Sequence, residues 1–260
     1  MNREQQSTKK EQLTPLWGSN HIVKKDFILI PAFIIFQSII PIIIVFGTLG
    51  VTAMLTQHAP PEWFYNLSLS ISFVLAQFLV LFLFYAIHKR YIANVARRQF
   101  YFAKKHVNRI VIVVMIVFVL MLLIEWLVQF LPLSLNYNAT QYERRVEGLF
   151  LHPIAIGFTF ISMVILRPMV EALIYRHLVI HELGKKLNKK LAIAVSIVAE
   201  ALVHVYDMAS VLELIPYLLI ASGATYIYVK SGENLASAYI FQASIQLLIF
   251  IEMLYKHFVL

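Results

Sequence analysis

An all-α bundle that crosses a membrane about seven times is the fold this sequence predicts, and three observations carry the prediction. Of 260 residues, 60% are hydrophobic and only 14% charged, and the mean hydropathy is +0.75. The apolar residues gather in runs of about 20 or more, the length a helix needs to cross hydrocarbon, and such runs are too many for the core of a soluble domain. Lysine and arginine concentrate in the connections between runs, as they do in cytoplasmic loops.

The elements follow in chain order. Residues 1–25 are polar, include Lys9, Lys10, Lys24 and Lys25, and lack the short apolar core and small-residue cleavage site of a secretory signal. They are expected to form a cytoplasmic tail, with 26–260 as a single transmembrane helical domain. Spans are expected near 27–55, 66–88, 110–133, 150–183, 190–206, 211–229 and 235–256. The fifth is short. The fourth is long for one upright helix and holds Pro153 and Pro168, which predicts a tilt, a kink or a re-entrant piece.

Orientation follows from the loops. Residues 89–109 carry Lys89, Arg90, Arg97, Arg98, Lys104, Lys105 and Arg109, and the turn 184–190 carries Lys185, Lys186, Lys189 and Lys190; both are expected in the cytoplasm. The loop 56–65 has no Lys or Arg, and in 134–149 Arg144 and Arg145 are offset by Glu143 and Glu147, so these face outward. Trp63, Phe64, Tyr65, Tyr91, Phe100, Tyr101 and Tyr142 fit interfacial belts. The triplet Asn138-Ala139-Thr140 matches a glycosylation acceptor, a pattern so short that it carries no weight.

Composition also excludes chemistries. The chain has no cysteine, which removes disulfides, iron-sulfur ligation and thiol catalysis. Its net charge of +8 is explained by loop topology, not by a basic stripe for nucleic acid. No pair of Gly/Pro-broken spans recurs in two halves, which ranks a transporter last. No cofactor is expected; the expected partners are membrane lipid and a peptide or membrane protein.

Function is sought where ionisable side chains enter the apolar half, because such groups are costly in lipid. From Glu171 to Lys185 is 14 residues, as is Lys190 to His204, so two helices folded at that turn carry both side chains to a height of about 21 Å. Arg176 and Glu200 reach about 13 and 15 Å. Glu200 and His204 are four residues apart and share a helix face. Two readings fit these residues. One is a structural ion-pair network tying two helices together. The other is a polar pocket in which a carboxylate and an imidazole hold a water and remove its proton. His177 and His181 are also four apart but only about 12 and 6 Å above Lys185, well below His204, so hydrogen bonding near the cytoplasmic interface is expected of them, not metal binding. Glu125 in the third span is read as polar glue between helices. Asp207, three residues after His204, could orient it, or could simply lie at the outer helix end.

A family resemblance adds to this. The run Arg167-Pro168-Met169-Val170-Glu171-Ala172-Leu173-Ile174-Tyr175-Arg176 resembles the first motif, Glu-Glu-x-x-x-Arg after a proline, of the CAAX protease and bacteriocin-processing (CPBP, or Abi) family of intramembrane proteases. Glu200-Ala201-Leu202-Val203-His204 is similar to its second motif, Phe-x-x-x-His. Gly223 and the run Ser231 to Ala238 resemble the approach to its last motif, His-x-x-x-Asn. The resemblance covers about residues 150–250. Three departures accompany it: Ala172 replaces the second glutamate, Glu200 the aromatic residue, and Gln242 and Gln246 the last His and Asn.

The resemblance implies a metal-independent glutamic endopeptidase of the bacterial plasma membrane. Glu171 and His204 would activate water, Arg176 would organise the carboxylates, Glu200 would assist, and Gln242 or Gln246 would polarise the scissile carbonyl. Substrates would be lipidated tails, secreted peptide precursors or other membrane peptides, with bacteriocin processing or self-immunity as the biological setting. The departures leave an alternative, a lapsed relative acting as an immunity factor or a membrane-protein scaffold.

Overall fold

The computed structural model describes residues 21–90, 92–132, 140, 144, 146–205 and 210–259. Outside the described residues lie residues 1–20 of the expected tail, Tyr91 and Tyr142, Asn138 and Ala139 of the triplet, Glu143 and Arg145 of the second outer loop, and Asp207. Among the described residues the chain is helical, with no strand. Helices α1 (Leu29–Thr56) and α2 (Glu62–His88) form a hairpin, followed by α3 (Ile92–Ala103) and α4 (Val107–Val128). Next comes α5, the continuous helix Pro153–Lys185, then α6 (Lys189–His204), α7 (Leu214–Lys230) and α8 (Leu235–Val259).

Among the described residues six helical stretches are long and apolar enough to cross a membrane, and the chain is an integral multi-pass membrane protein. The sequence reading expected about seven spans with the fifth short; the fifth, α6, is the one that falls below spanning length. Helix α6 has 16 residues, about 24 Å of rise against about 30 Å of hydrocarbon. It packs between α5 and α7, and its task is to carry side chains to mid-depth. Large apolar residues exposed along α1 and α4, such as Phe46, Met54, Ile112 and Trp126, are the lipid face; in water such a surface would aggregate.

The expectation of a loop at 89–109 is corrected. Its polar residues alternate with apolar ones at helical spacing, and the chain forms α3, an amphipathic helix whose Ile92, Val95, Ala96 and Gln99 turn inward. On its outer face Arg98, and in the turn just after it Lys105, lie 5.6 and 5.2 Å from the centre of the Phe102 ring, cation–π contacts suited to a headgroup boundary. Tyr101, Trp63 and Tyr65 are exposed.

Helix α5 is unbroken, in place of a re-entrant piece. Pro153 occupies its first turn, behind the ring of His152, which accepts from Ile154 N at 3.3 Å, a position where proline costs no hydrogen bond. Pro168 lies inside and lacks an N–H for the ladder. The helix absorbs it by widening to π-type turns at Ile161–Leu166 and Ala172–Glu182, on either side of an α-helical stretch Arg167–Glu171. Widened turns of this kind are frequent at functional sites. Carbonyl groups of α5 and α7 gain side-chain donors from neighbouring helices: Ser196 Oγ donates to Tyr175 O at 3.0 Å and Arg176 Nη2 to Ala221 O at 3.2 Å.

Caps fix where the site helices begin. Asn188 accepts from Lys190 N at the start of α6, and Asn234 accepts from Ser237 N at the start of α8, each satisfying an orphan N–H. Gly223 lets α7 approach its neighbours: a Cβ there would lie 2.6 Å from Phe241 Cζ and 3.1 Å from Val117 Cγ2. The main apolar core lies between α4, α5, α7 and α8 around Val117, Val164, Ile220, Phe241 and Ile245.

Between α7 and α8 the chain reverses through Gly232 (φ 73°) and Glu233 (φ 61°). A left-handed glutamate is unusual, and its side chain compensates by accepting from His181 Nδ1 at 2.9 Å and from Lys189 Nζ. Chiefly through the His181 bond, with Lys189 adding to it, the Glu233 carboxyl is held down at about 2 from an ordinary 4.5. A depressed carboxyl stabilises the fold above its unfolded value and loses that contribution as pH falls through its folded one. Thermal stability in detergent is therefore expected to decline between pH 4.5 and 2. Glu233→Gln should show a shallower decline in that window and a loss of about 1 kcal/mol or less at neutral pH. An unchanged acid limb would contradict this assignment.

Candidate functional site

Helices α5, α6 and α8 bring the polar residues of the sequence together at mid-depth. His204 Nε2 is 3.6 Å from Glu171 Oε1. Arg176 Nη1 is 2.5 Å from Glu200 Oε2, with exposures of 0% and 2%. Such closure matters, because a buried charge is tolerated only when paired and hydrogen-bonded. Gln242 joins the two pairs: its Nε2 donates to Glu171 Oε2 at 3.1 Å and to Glu200 Oε1 at 2.7 Å. Because an amide nitrogen has two hydrogens, both are engaged. The sequence reading offered Gln242 or Gln246 to a scissile carbonyl; in the structure the Gln242 nitrogen clamps two carboxylates side by side. Gln246 lies one turn further along α8, buried, with Oε1 lacking a hydrogen-bond partner among the described residues.

One member of the cluster was not singled out from the sequence. Arg167 Nε donates to Glu171 Oε1 at 2.9 Å, and its Nη2 lies 2.7 Å from His204 Nδ1. Its side chain is 22% exposed against 5% for Glu171, so the cluster meets its surroundings on this side. The signal was present: Arg167 and Glu171 are four residues apart, the spacing of an intrahelical ion pair. The ring of Tyr217, from α7, packs edge-on against His204 with centroids 4.8 Å apart. Two arginines thus face two glutamates around a histidine.

The other candidates lie elsewhere. His177 Nε2 is 2.9 Å from Asp26 Oδ2, and His88 Nε2 is 3.2 Å from Asp26 Oδ1. This buried group ties the start of α1 to the lysine-rich ends of α2 and α5. Glu182 reinforces it, accepting from Val23 N at 2.7 Å and Lys185 Nζ at 2.6 Å. Among the described residues no group of three metal-ligating side chains is arranged to hold an ion. Glu125 and Glu252 share Lys256 at 2.7 and 2.8 Å, and Glu213 closes a capping box with Ser210.

Beside the cluster lies an apolar cavity of about 260 Å³, walled by α2, α3, α5 and α8 through Phe84, Ile92, Val95, Ala172, Leu173 and Tyr239. Consecutive residues of α5 therefore serve different spaces. Glu171 faces the polar cluster and Ala172 the cavity.

Fold and site together define an integral membrane helical bundle with a buried Glu–Arg–His cluster on an antiparallel hairpin. Residues 153–248 match the family described as type II CAAX prenyl endopeptidase, Rce1-like, so the resemblance read from the motifs holds from the start of α5 to midway along α8. Comparisons with curated proteins and with solved structures give no match.

Proposed function

We propose that the chain is an intramembrane endopeptidase in which Glu171 and His204 activate a water against a peptide bond of a membrane-embedded substrate. The observation that carries this reading is the 3.6 Å approach of His204 Nε2 to Glu171 Oε1, a spacing at which one water can contact both groups. Glu171 takes a proton as the water oxygen bonds to the carbonyl carbon, and the π pair moves to the carbonyl oxygen. When the C–N bond breaks, that proton passes to the departing nitrogen, leaving a carboxylic acid and an amine. Arg176 and Glu200 balance charge beneath the site, Gln242 sets the spacing of the carboxylates, and Gln246 supplies an amide donor to the carbonyl oxygen. The lysine-rich end faces the cytoplasm of a bacterial plasma membrane, as the loop charges favour.

The apolar cavity favours a substrate carrying a hydrocarbon chain over a secreted peptide. The test is cleavage, in proteoliposomes, of a fluorogenic peptide bearing an S-prenylated cysteine four residues from its C-terminus, compared with the same peptide unprenylated. Cleavage of the prenylated form is expected. Ala172→Phe, which fills the cavity, should raise its KM on the order of 10-fold. No cleavage of either peptide would count against the reading, and equal cleavage of both by wild type and variant would remove the cavity from it.

Two observations favour a second reading, a non-catalytic relative that binds a partner in the bilayer as an immunity factor or scaffold. The site carries Ala172 in place of a second glutamate, and its Arg176–Glu200 pair is closed. On that reading protection or assembly survives Glu171→Gln.

A further inference from the structure

Arg167 decides what His204 can do, and the reason is hydrogen-bond inventory. A guanidinium has five N–H donors and no acceptor. Its Nη2 lies 2.7 Å from His204 Nδ1, so that nitrogen must present its lone pair, and the ring proton is left on Nε2, the nitrogen that faces Glu171. We infer that Arg167 is a positioning residue that holds His204 as the neutral Nε2–H tautomer, so that His204 enters the reaction as a hydrogen-bond donor and Glu171 is the sole base. This rests on the peptidase reading for its consequence, though not for its geometry.

The surroundings support the same state. Among the described residues, buried His204 faces Arg167 and Glu171 from α5 and the ring of Tyr217 from α7. An imidazolium would aim an Nδ1–H at a guanidinium, unfavourable where the dielectric is low. The edge-on Tyr217 ring and the partly exposed Arg167 side chain hold the imidazole plane. With its proton directed at the space beside Glu171, His204 Nε2 is placed to donate to the oxygen of a carbonyl under attack, the task of an oxyanion donor.

The experiment reads the tautomer directly. The protein is labelled with ¹⁵N-histidine, reconstituted in bilayers at neutral pH, and the His204 ring is assigned by its loss in His204→Gln. Wild type is expected to show a lone-pair Nδ1 and a protonated Nε2, favoured about tenfold or more, the ratio that a charge-assisted hydrogen bond of ordinary strength implies. Arg167→Lys, which keeps a pure donor, should retain this pattern, whereas Arg167→Leu should lose its exclusivity, with a proton appearing on Nδ1. A wild-type spectrum with Nδ1 protonated, or an unaltered pattern in Arg167→Leu, overturns the inference. Should Arg167→Leu fail to fold, wild type and Arg167→Lys still decide: a proton on Nδ1 in either overturns it. The spectrum needs no substrate, so its failure is distinct from a failure to cleave peptide.

Discussion

Glu171→Gln is expected to lower cleavage of the prenylated peptide by about 10² to 10⁴-fold, the range that a positioned general base contributes, while the protein still folds. Gln keeps the size of the side chain and an oxygen that can accept from Arg167 or Gln242, so the hydrogen bonds at 2.9 and 3.1 Å lose strength without leaving a void. What disappears is the capacity to take a proton from water. Rate and unfolding midpoint are measured on the same preparation. Wild-type turnover in the variant would dismiss Glu171 as the base; a midpoint that collapses together with the rate would make the residue structural.

Arg176→Met should have the largest effect on stability. Arg176 is wholly buried, and its guanidinium is the cation against Glu200, which is 2% exposed. Removing one partner of a buried pair strands the other charge, at a cost of about 3–5 kcal/mol, enough to unfold many proteins of ordinary stability. The double variant Arg176→Met/Glu200→Gln removes both charges and retains an amide oxygen for Gln242, so most of the loss should be recovered. Denaturation of all three proteins in one detergent gives the coupling. A double variant no more stable than the single would refute the pairing as the source of the effect. The recovered double variant also separates two roles. If it cleaves peptide, Arg176 and Glu200 only hold the hairpin; if it folds but is inert, they belong to the chemistry.

Much of this site was legible because helical rise converts sequence distance into depth. Equal spacing of Glu171 and His204 from a lysine-rich turn placed them level, and the structure has them 3.6 Å apart. Arg176 and Glu200 were matched in the same way. The family motifs drew attention to Gln242, but not to its amide lying between two carboxylates, because rotation of α8 about its own axis is set by packing of Phe241 and Ile245 and leaves no trace in spacing. Arg167 was missed for a related reason: its distance from Glu171 was readable, its reach across to His204 was not. The basic stretch 89–109 was read from charge alone, and the helical periodicity of Ile92, Val95, Ala96 and Gln99 within it was passed over.

By itself the sequence determined that the chain lives in a bilayer, that its ionisable groups meet at one depth on a hairpin, and that its motifs are those of a peptidase-like family. Those properties are set along the chain, by hydrophobic length, charge placement and rise per residue. Only the tertiary structure decided which atoms face each other: that Arg167 bridges Glu171 and His204, that Gln242 clamps the two glutamates, and that Ala172 opens on an apolar cavity. Such contacts depend on how helices rotate and cross, and those angles come from side chains packing over the whole bundle.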